Sequence, residues 1–156
     1  MRSIIVKTLL LSLVLAVFSN LALADYDVVK KLSHYSVPET MDRLESTVTA
    51  KGLRIFARID HEKNATAADM TMNPAQLLIF GNPKMGTLIM KADPAAGLDL
   101  PLRVLVYRDD HGKVWLAYHD PKGMKDAYDV GKVEAISKAS AAMDKITTAV
   151  TAADLK

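Results

Sequence analysis

The sequence predicts a single α+β domain, a two-layer sandwich in which helices pack on one face of a mainly antiparallel sheet. Three observations lead to this fold class. Segments with the two-residue period of a strand alternate with segments of helical period, two strands are joined by a short hairpin turn, and one further strand is largely apolar. The predicted order is strand, helix, strand, strand, short helix, strand, strand and helix, preceded by a leader segment.

The first predicted unit is a strand, a helix and a second strand. The strand covers residues 26–35 and is placed at a sheet edge because it carries adjacent lysines. Ser36 and Glu39 have the spacing of a capping box, which predicts a helix that begins here and ends at Gly52. Residues 53–60 then alternate between apolar and polar positions, as a half-buried strand does.

The central part of the chain predicts a polar connection, a buried strand and a short helix. Residues 61–74 are polar and alanine-rich, and we expect them to be irregular. Residues 76–80 are largely apolar, as expected of a strand that is covered on both faces. Asn82 followed by Pro83 predicts the start of a helix that runs to Lys91, with the asparagine as its N-cap.

The last third of the chain predicts a hairpin and a long closing helix. Residues 94–101 form a second connection. The strands 102–108 and 114–119 are separated by a turn in which Gly112 supplies the positive φ that a hairpin with a bulge needs. One face of the closing helix is marked by residues at helical spacing, namely Val133, Ile136, Ser140, Met143, Thr147 and Val150.

Residues 1–24 have the pattern of a secretory signal peptide. A short basic region is followed by an uncharged apolar run, and the small residues Ala22 and Ala24 stand at the two positions that signal peptidase reads. The alternative is an uncleaved membrane anchor, but the uncharged run is slightly shorter than the roughly 20 residues that span a bilayer. We therefore expect cleavage after Ala24, a periplasmic or secreted protein without a stable membrane anchor, and one domain over residues 25–156.

The composition excludes several kinds of chemistry. Removal of the leader takes Arg2 and Lys7 with it and leaves 18 basic against 18 acidic residues, which are interspersed along the chain. A formally neutral domain without a basic stripe gives no reason to expect nucleic acid as a partner. The chain has no cysteine, which excludes disulfides, thiolate nucleophiles and thiolate-bound metals. No cofactor is expected.

Known catalytic motifs fail on their spacing. His61 and the glutamate after it begin like a zinc-protease helix, but Ala65 stands where the second histidine is required. Residues 81–86 have the glycine spacing of a phosphate-binding loop, but Thr87 replaces its lysine. No Gly-x-Ser-x-Gly elbow occurs, so the serine-hydrolase interpretation has no nucleophile.

Met70 and Met72 are the candidate metal ligands. Thioethers bind Cu(I), and exported proteins encounter copper. Methionine is also the usual filler of irregular gaps in a core, and the four histidines of the chain show no pair at ligand spacing. Core packing is therefore the preferred interpretation of both methionines, and no metal site is predicted.

Four segments of the chain are distinctive: Ile59-Asp60-His61, Leu77 to Thr87, Leu98 to Arg103, and Trp115 to Tyr118. Through them the sequence resembles the bacterial family known as domain of unknown function 302. The resemblance spans nearly all of the chain after the leader, and it is most specific at Phe80-Gly81-Asn82-Pro83 and Leu100-Pro101-Leu102. It implies the same α+β fold and no established biochemical role.

The junction between the buried strand and the short helix is the candidate ligand-binding site. A strand that ends in Gly81 and Asn82 and leads directly into a helix leaves backbone N–H groups at the helix start, and Lys84 is adjacent. These features predict a site for a small anionic ligand.

Three residues from other strands are candidate members of the same site. His61 ends an earlier strand and Arg103 begins a later one, so both converge on the junction if those strands are neighbours. Tyr118 is a candidate wall residue. The alternative is purely structural: the turn is one that the fold requires, and Arg103 pairs with Asp99.

Three function classes remain open. The preferred one is an exported, non-catalytic domain that binds a small anionic or partly apolar ligand, or that serves as an accessory subunit. The second is an enzyme with His61 as general base at an anion-binding turn. The third is a structural or interaction module, a homodimer through an exposed sheet edge. The enzyme hypothesis predicts a closed pocket that contains His61 and a polar partner, whereas the binding hypothesis predicts a pocket without a nucleophile.

Overall fold

The computed structural model describes residues 28–154 of the 156-residue chain. Its strands are β1 (Val28–Ser33), β2 (Arg54–Asp60), β3 (Ala75–Gly81), β4 (Leu102–Arg108) and β5 (Val114–His119). They form one five-stranded sheet in the order β1-β5-β4-β3-β2, and every neighbouring pair is antiparallel. The expected leader and its cleavage after Ala24 lie outside the described residues.

Helices connect the strands and cover one side of the sheet. The α-helices of the described part are α1 (Val37–Ala50), α2 (His61–Ala67), α3 (Pro83–Ala92), α4 (Met124–Ala127) and α5 (Glu134–Thr151), with 3₁₀ helices at Pro94–Asp99 and Pro121–Gly123. The predicted α+β fold class is confirmed. No helix between residues 28 and 154 is both long and apolar enough to cross a membrane.

The expectation that residues 61–74 are irregular is wrong for their first half. The side chain of Asp60 accepts the backbone N–H of Lys63 at 3.0 Å and so caps α2, and the alanines that follow favour a helix. None of the seven residues of this helix is buried. Because it has no apolar face, it leaves no periodic signal in the sequence.

The first strand lies at an edge of the sheet, as its lysines predicted. Lys31 belongs to the side of the sheet that faces α5, where its Nζ lies 2.7 Å from Asp144 Oδ1 and donates to Thr148 Oγ1 at 2.6 Å. The lysine therefore ties the edge strand to the helical layer. Self-association through this edge stays a prediction.

The main core lies between the sheet and the helices α1 and α5. Its residues come from both helices and from the helix-facing side of three strands: Val37, Met41, Leu44, Val48, Leu78, Phe80, Val104, Val106, Leu116, Tyr118, Met143, Ile146 and Val150. The strand residues alternate with residues on the other face of the sheet, as the period of two requires.

A second core lies beyond the end of the sheet. It is formed by α3, the segment after it, α4 and the N-terminal part of α5, with the buried residues Ile89, Ala96, Met124, Val130, Ala135 and Ile136. Helix α5 therefore contributes to both cores, with its first turn in the second core and its later turns in the main core.

Truncation of Leu44 to alanine is expected to lower the free energy of unfolding by about 2–5 kcal/mol, because the side chain is fully buried in the main core. Leu98→Ala is the matched control, since Leu98 is 77% exposed and its truncation is expected to change stability by less than about 0.5 kcal/mol. Equilibrium unfolding in urea measures both. Equal losses in the two variants would contradict this assignment of the core.

Candidate functional site

A solvent-open pocket of about 470 Å³ lies where β3 ends and α3 begins. Its volume is typical of small-molecule sites. Residues of both cores line it, so the pocket marks the seam between them. The lining residues are Leu53, Phe56, Phe80, Gly81, Asn82, Pro83, Met85, Gly86, Thr87, Ile89, Met90, Leu100, Pro101, Leu102, Pro121, Met124, Lys138, Ala139, Ala142, Met143 and Ile146.

A β-bulge in β2 supplies one wall of the pocket. The register against β3 shifts between Ile55 and Ala57, which leaves Phe56 as the extra residue. Bulges redirect side chains and are frequent beside functional sites. Phe56 lines the pocket although its side chain remains 44% exposed, and the guanidinium carbon of Arg54 lies 5.0 Å from the centroid of its ring.

Gly86 keeps a second wall of the pocket open. The residue lies in the interior of α3, where glycine costs roughly 0.5–1 kcal/mol relative to alanine. A Cβ at this position would meet only the Leu100 Cδ1 atom, at 4.0 Å, so crowding does not require glycine here. The missing side chain leaves space in the pocket at the expense of helix stability.

The start of α3 is capped by its own chain. Asn82 Oδ1 accepts the backbone N–H of Lys84 at 2.9 Å and that of Met85 at 3.3 Å. Pro83 has no N–H, and the N–H of Gly86 bonds to the Asn82 carbonyl at 2.9 Å. The backbone donors on which the predicted anion site depends are therefore already paired within the helix.

The remaining polar side chains of the pocket are Thr87 and Lys138. The Thr87 hydroxyl donates to the Pro83 carbonyl at 2.8 Å and is thereby engaged within α3. Lys138 projects from α5, and its Nζ lies 3.1 Å from Glu134 Oε1 in a pair that is exposed on both sides. Exposed pairs of this kind contribute at most about 1 kcal/mol, so the lysine can exchange this partner for another acid.

The structure brings two of the six predicted site residues to the pocket, Gly81 and Asn82. Lys84 is exposed beside it. His61 is at the far end of the sheet, because β2 ends opposite Gln76, which lies five residue steps along β3 from Gly81, about 17 Å of strand. The expected convergence of His61 on the junction is therefore wrong.

Arg103 and Tyr118 are also engaged elsewhere. Arg103 pairs with Asp99 at 3.2 Å, which is the structural alternative stated for it. Asp99 also accepts the hydroxyl of Tyr128 at 2.7 Å, and this bond raises the pKa of that tyrosine. Tyr118 is buried in the main core, where desolvation raises its pKa, and it does not line the pocket.

Met70 and Met72 are exposed, at 66% and 45%, so the core-packing interpretation is wrong for both. They lie in the connection between α2 and β3, and α2 has no buried residue that would draw this segment onto the core. Between residues 28 and 154, no three His, Asp or Glu side chains form a group that could hold a metal ion.

The sequence analysis expected an anionic or partly apolar ligand at this junction, but it did not foresee how largely apolar the pocket is or that α5 forms one of its walls. Two features of the sequence indicate the pocket walls. Gly86 interrupts a predicted helix, which in an otherwise helical pattern indicates a packing or functional reason. Ala139 and Ala142 are small residues three apart on the closing helix, and they are therefore neighbours on one face, next to Lys138.

The fold and the pocket define a small α+β domain with a largely apolar pocket. Residues 28–153 match the family described as Domain of unknown function DUF302, and the chain belongs to this family. The family resemblance seen in the sequence is confirmed.

A crystal structure described as uncharacterized conserved protein DUF302 from Bacillus stearothermophilus is similar to this chain. The TM-score is 0.62 with 18% sequence identity, and the match covers 80% of this chain and 94% of that chain. At this level of identity the likeness concerns the fold.

Curated relatives carry a different description. Fluoride-specific ion channel FluC 1 of Brucella suis biovar 1 (strain 1330) and Fluoride-specific ion channel FluC 1 of Brucella abortus biovar 1 (strain 9-941) are each 37% identical over 110 residues. The match covers 70% of this chain but only 43% and 41% of those proteins. The chain therefore spans less than half the length of these relatives.

Replacement of Asn82 by alanine is expected to lower the free energy of unfolding by about 1 kcal/mol, because two N–H groups of α3 lose their side-chain acceptor. Asn64→Ala is the control, since Asn64 is an exposed residue within α2, and a change below about 0.5 kcal/mol is expected there. Urea denaturation measures both variants, and unaltered stability of Asn82→Ala would contradict the capping role.

Proposed function

We propose that this domain binds a small, largely apolar molecule in the pocket at the start of α3 and does not transform it. The observation that carries the proposal is the wall of the pocket, which is apolar except for Asn82, Thr87 and Lys138. Removal of apolar surface from water contributes about 25 cal/mol per Å², so such a wall favours an apolar occupant.

The side chains of the pocket also support binding over catalysis. The described lining contains no histidine, carboxylate or serine. Its one hydroxyl, that of Thr87, donates to the Pro83 carbonyl, and its one amine, that of Lys138, pairs with Glu134, so neither activates the other. His61, the residue of the enzyme hypothesis, is not among the lining residues.

The position of the pocket gives further support. Phe80-Gly81-Asn82-Pro83 and Leu100-Pro101-Leu102 are the segments through which the sequence most specifically resembles its family, and every residue of both lines the pocket. We further propose that binding takes place in the periplasm or outside the cell, because residues 1–24 have the pattern of a cleaved signal peptide.

The proposal is tested with the uncharged fluorescent probe N-phenyl-1-naphthylamine, displaced by 1-decanol. Wild type is expected to bind the probe saturably, and Ala142→Leu to bind it about tenfold more weakly, because the larger side chain would occupy part of the pocket; a tenfold loss corresponds to about 1.4 kcal/mol.

Ala141→Leu is the matched control for this experiment. Ala141 is exposed on α5 like Ala142 and does not line the pocket, so its variant is expected to bind as wild type does. Absence of saturable binding to wild type, or equal weakening in both variants, would refute the pocket as the binding site.

The similarity to the Brucella channels favours a second candidate, an accessory domain that works beside a membrane channel. The identity of 37% over 110 residues is confined to less than half of those proteins.

This second candidate predicts an exchangeable domain. Replacement of the matching part of the Brucella suis protein by residues 28–154 is expected to preserve fluoride efflux from liposomes, whereas deletion of that part is expected to change it. Identical efflux from the unaltered, exchanged and shortened proteins would argue against an accessory role.

A further inference from the structure

We propose that the ligand of this pocket carries an acid group, held by Arg54 and Lys138 at the solvent side of the pocket. The inference rests on the proposed binding function and adds to it the class of ligand. That class is a single aliphatic chain that ends in a carboxylate or a phosphate.

Lys138 supplies the first cation. It lines the pocket while its side chain remains 62% exposed, so its apolar stem contacts the wall and its ammonium group lies toward solvent. Its partner Glu134 is still more exposed, and because the exposed pair is weak, the acid group of a ligand can replace Glu134 as the partner of the lysine.

Arg54 supplies the second cation. It does not line the pocket itself, but its guanidinium carbon lies 5.0 Å from the ring centroid of Phe56, which does. Among the described residues Arg54 has no ion pair with a carboxylate. Stacking on a ring fixes the plane of a guanidinium and leaves its fork of N–H donors available for bidentate bonds to an acid.

The acidic residues adjacent in sequence to the lining are engaged elsewhere. Asp99 pairs with Arg103 at 3.2 Å, and Asp144 pairs with Lys31 at 2.7 Å. Asp120 accepts a backbone N–H of the 3₁₀ helix that it precedes, at 2.9 Å. The cations at the pocket are Lys138, which shares an exposed pair with Glu134, and Arg54 beside Phe56, and an anionic ligand complements them.

The walls favour a flexible chain as the apolar part. Four methionines line the pocket, and the thioether side chain has three rotatable bonds and adapts to different shapes. Such a wall suits an aliphatic chain better than a rigid ring system with a fixed outline. The methionines are Met85, Met90, Met124 and Met143.

Four ten-carbon probes with the same chain test the inference: decanoate, decyl phosphate, 1-decanol and decylamine. Dissociation constants are measured by calorimetry with wild type at low salt. At least one of the two acids is expected to bind about tenfold more tightly than the alcohol, and the amine more weakly than the alcohol. The tighter of the two acids identifies the acid group.

Two variants test the assigned cations. Arg54→Met and Lys138→Met keep a long apolar stem and remove the charge, so each is expected to reduce the preference for acid over alcohol several-fold. The measured quantity is the ratio of acid to alcohol affinity within each variant, so a change in the apolar wall that weakens both ligands equally cancels from it. Lys145→Met is the matched control, because Lys145 is exposed on α5 and does not line the pocket.

The outcomes separate this inference from the function on which it rests. If all four probes bind equally, the acid group is refuted and the apolar binding function stands. If none binds, the binding function itself is refuted. If the acid preference persists in Arg54→Met and Lys138→Met, the assignment to these two cations is wrong.

Discussion

The packing of α5 against two separate cores is the constraint on which the rest of the structure depends. The helix has 18 residues and a length of about 27 Å, enough to reach from the second core to the middle of the sheet. Ala135 and Ile136 anchor its start, and Met143 and Val150 anchor its later turns. The pocket lies at the seam, so its closure would require α5 to leave one of the cores, which together bury most of its apolar face. The open space is therefore a consequence of the packing.

The junction of β3 and α3 shows how the chain forms the floor of this space. Phe80 belongs to the main core, and only two residues later Asn82 caps a helix whose Ile89 belongs to the second core. At this transition the Asn82 side chain accepts the first backbone N–H groups of the helix, so these N–H groups are not available to a ligand. The surface that remains for a ligand is apolar, and the available charge comes from the side chains of other elements.

The fold could be predicted from the sequence because its long elements carry clear periods and caps, as in α1 and α5. Helix α2 could not, since a short helix without a buried face leaves no period. The position of the pocket could be predicted in part, as Gly81 and Asn82 line it. Its chemistry could not, because Phe56 and Lys138 reach it only through tertiary packing. The wrong prediction for His61 has the same origin. The pairing and register of the strands decide which strand ends lie together, and no local sequence pattern specifies the register.

Departures from regular geometry concentrate at the pocket. β2 contains a bulge at Phe56, and α3 contains a glycine in its interior. Each is a choice that a sequence under selection for stability alone has reason to avoid, since the glycine costs about 0.5–1 kcal/mol and the bulge interrupts a ladder. Proteins break such local rules mainly where a site requires it. The two departures come from different elements and meet at one cavity, and this convergence supports the proposal that the pocket binds a ligand.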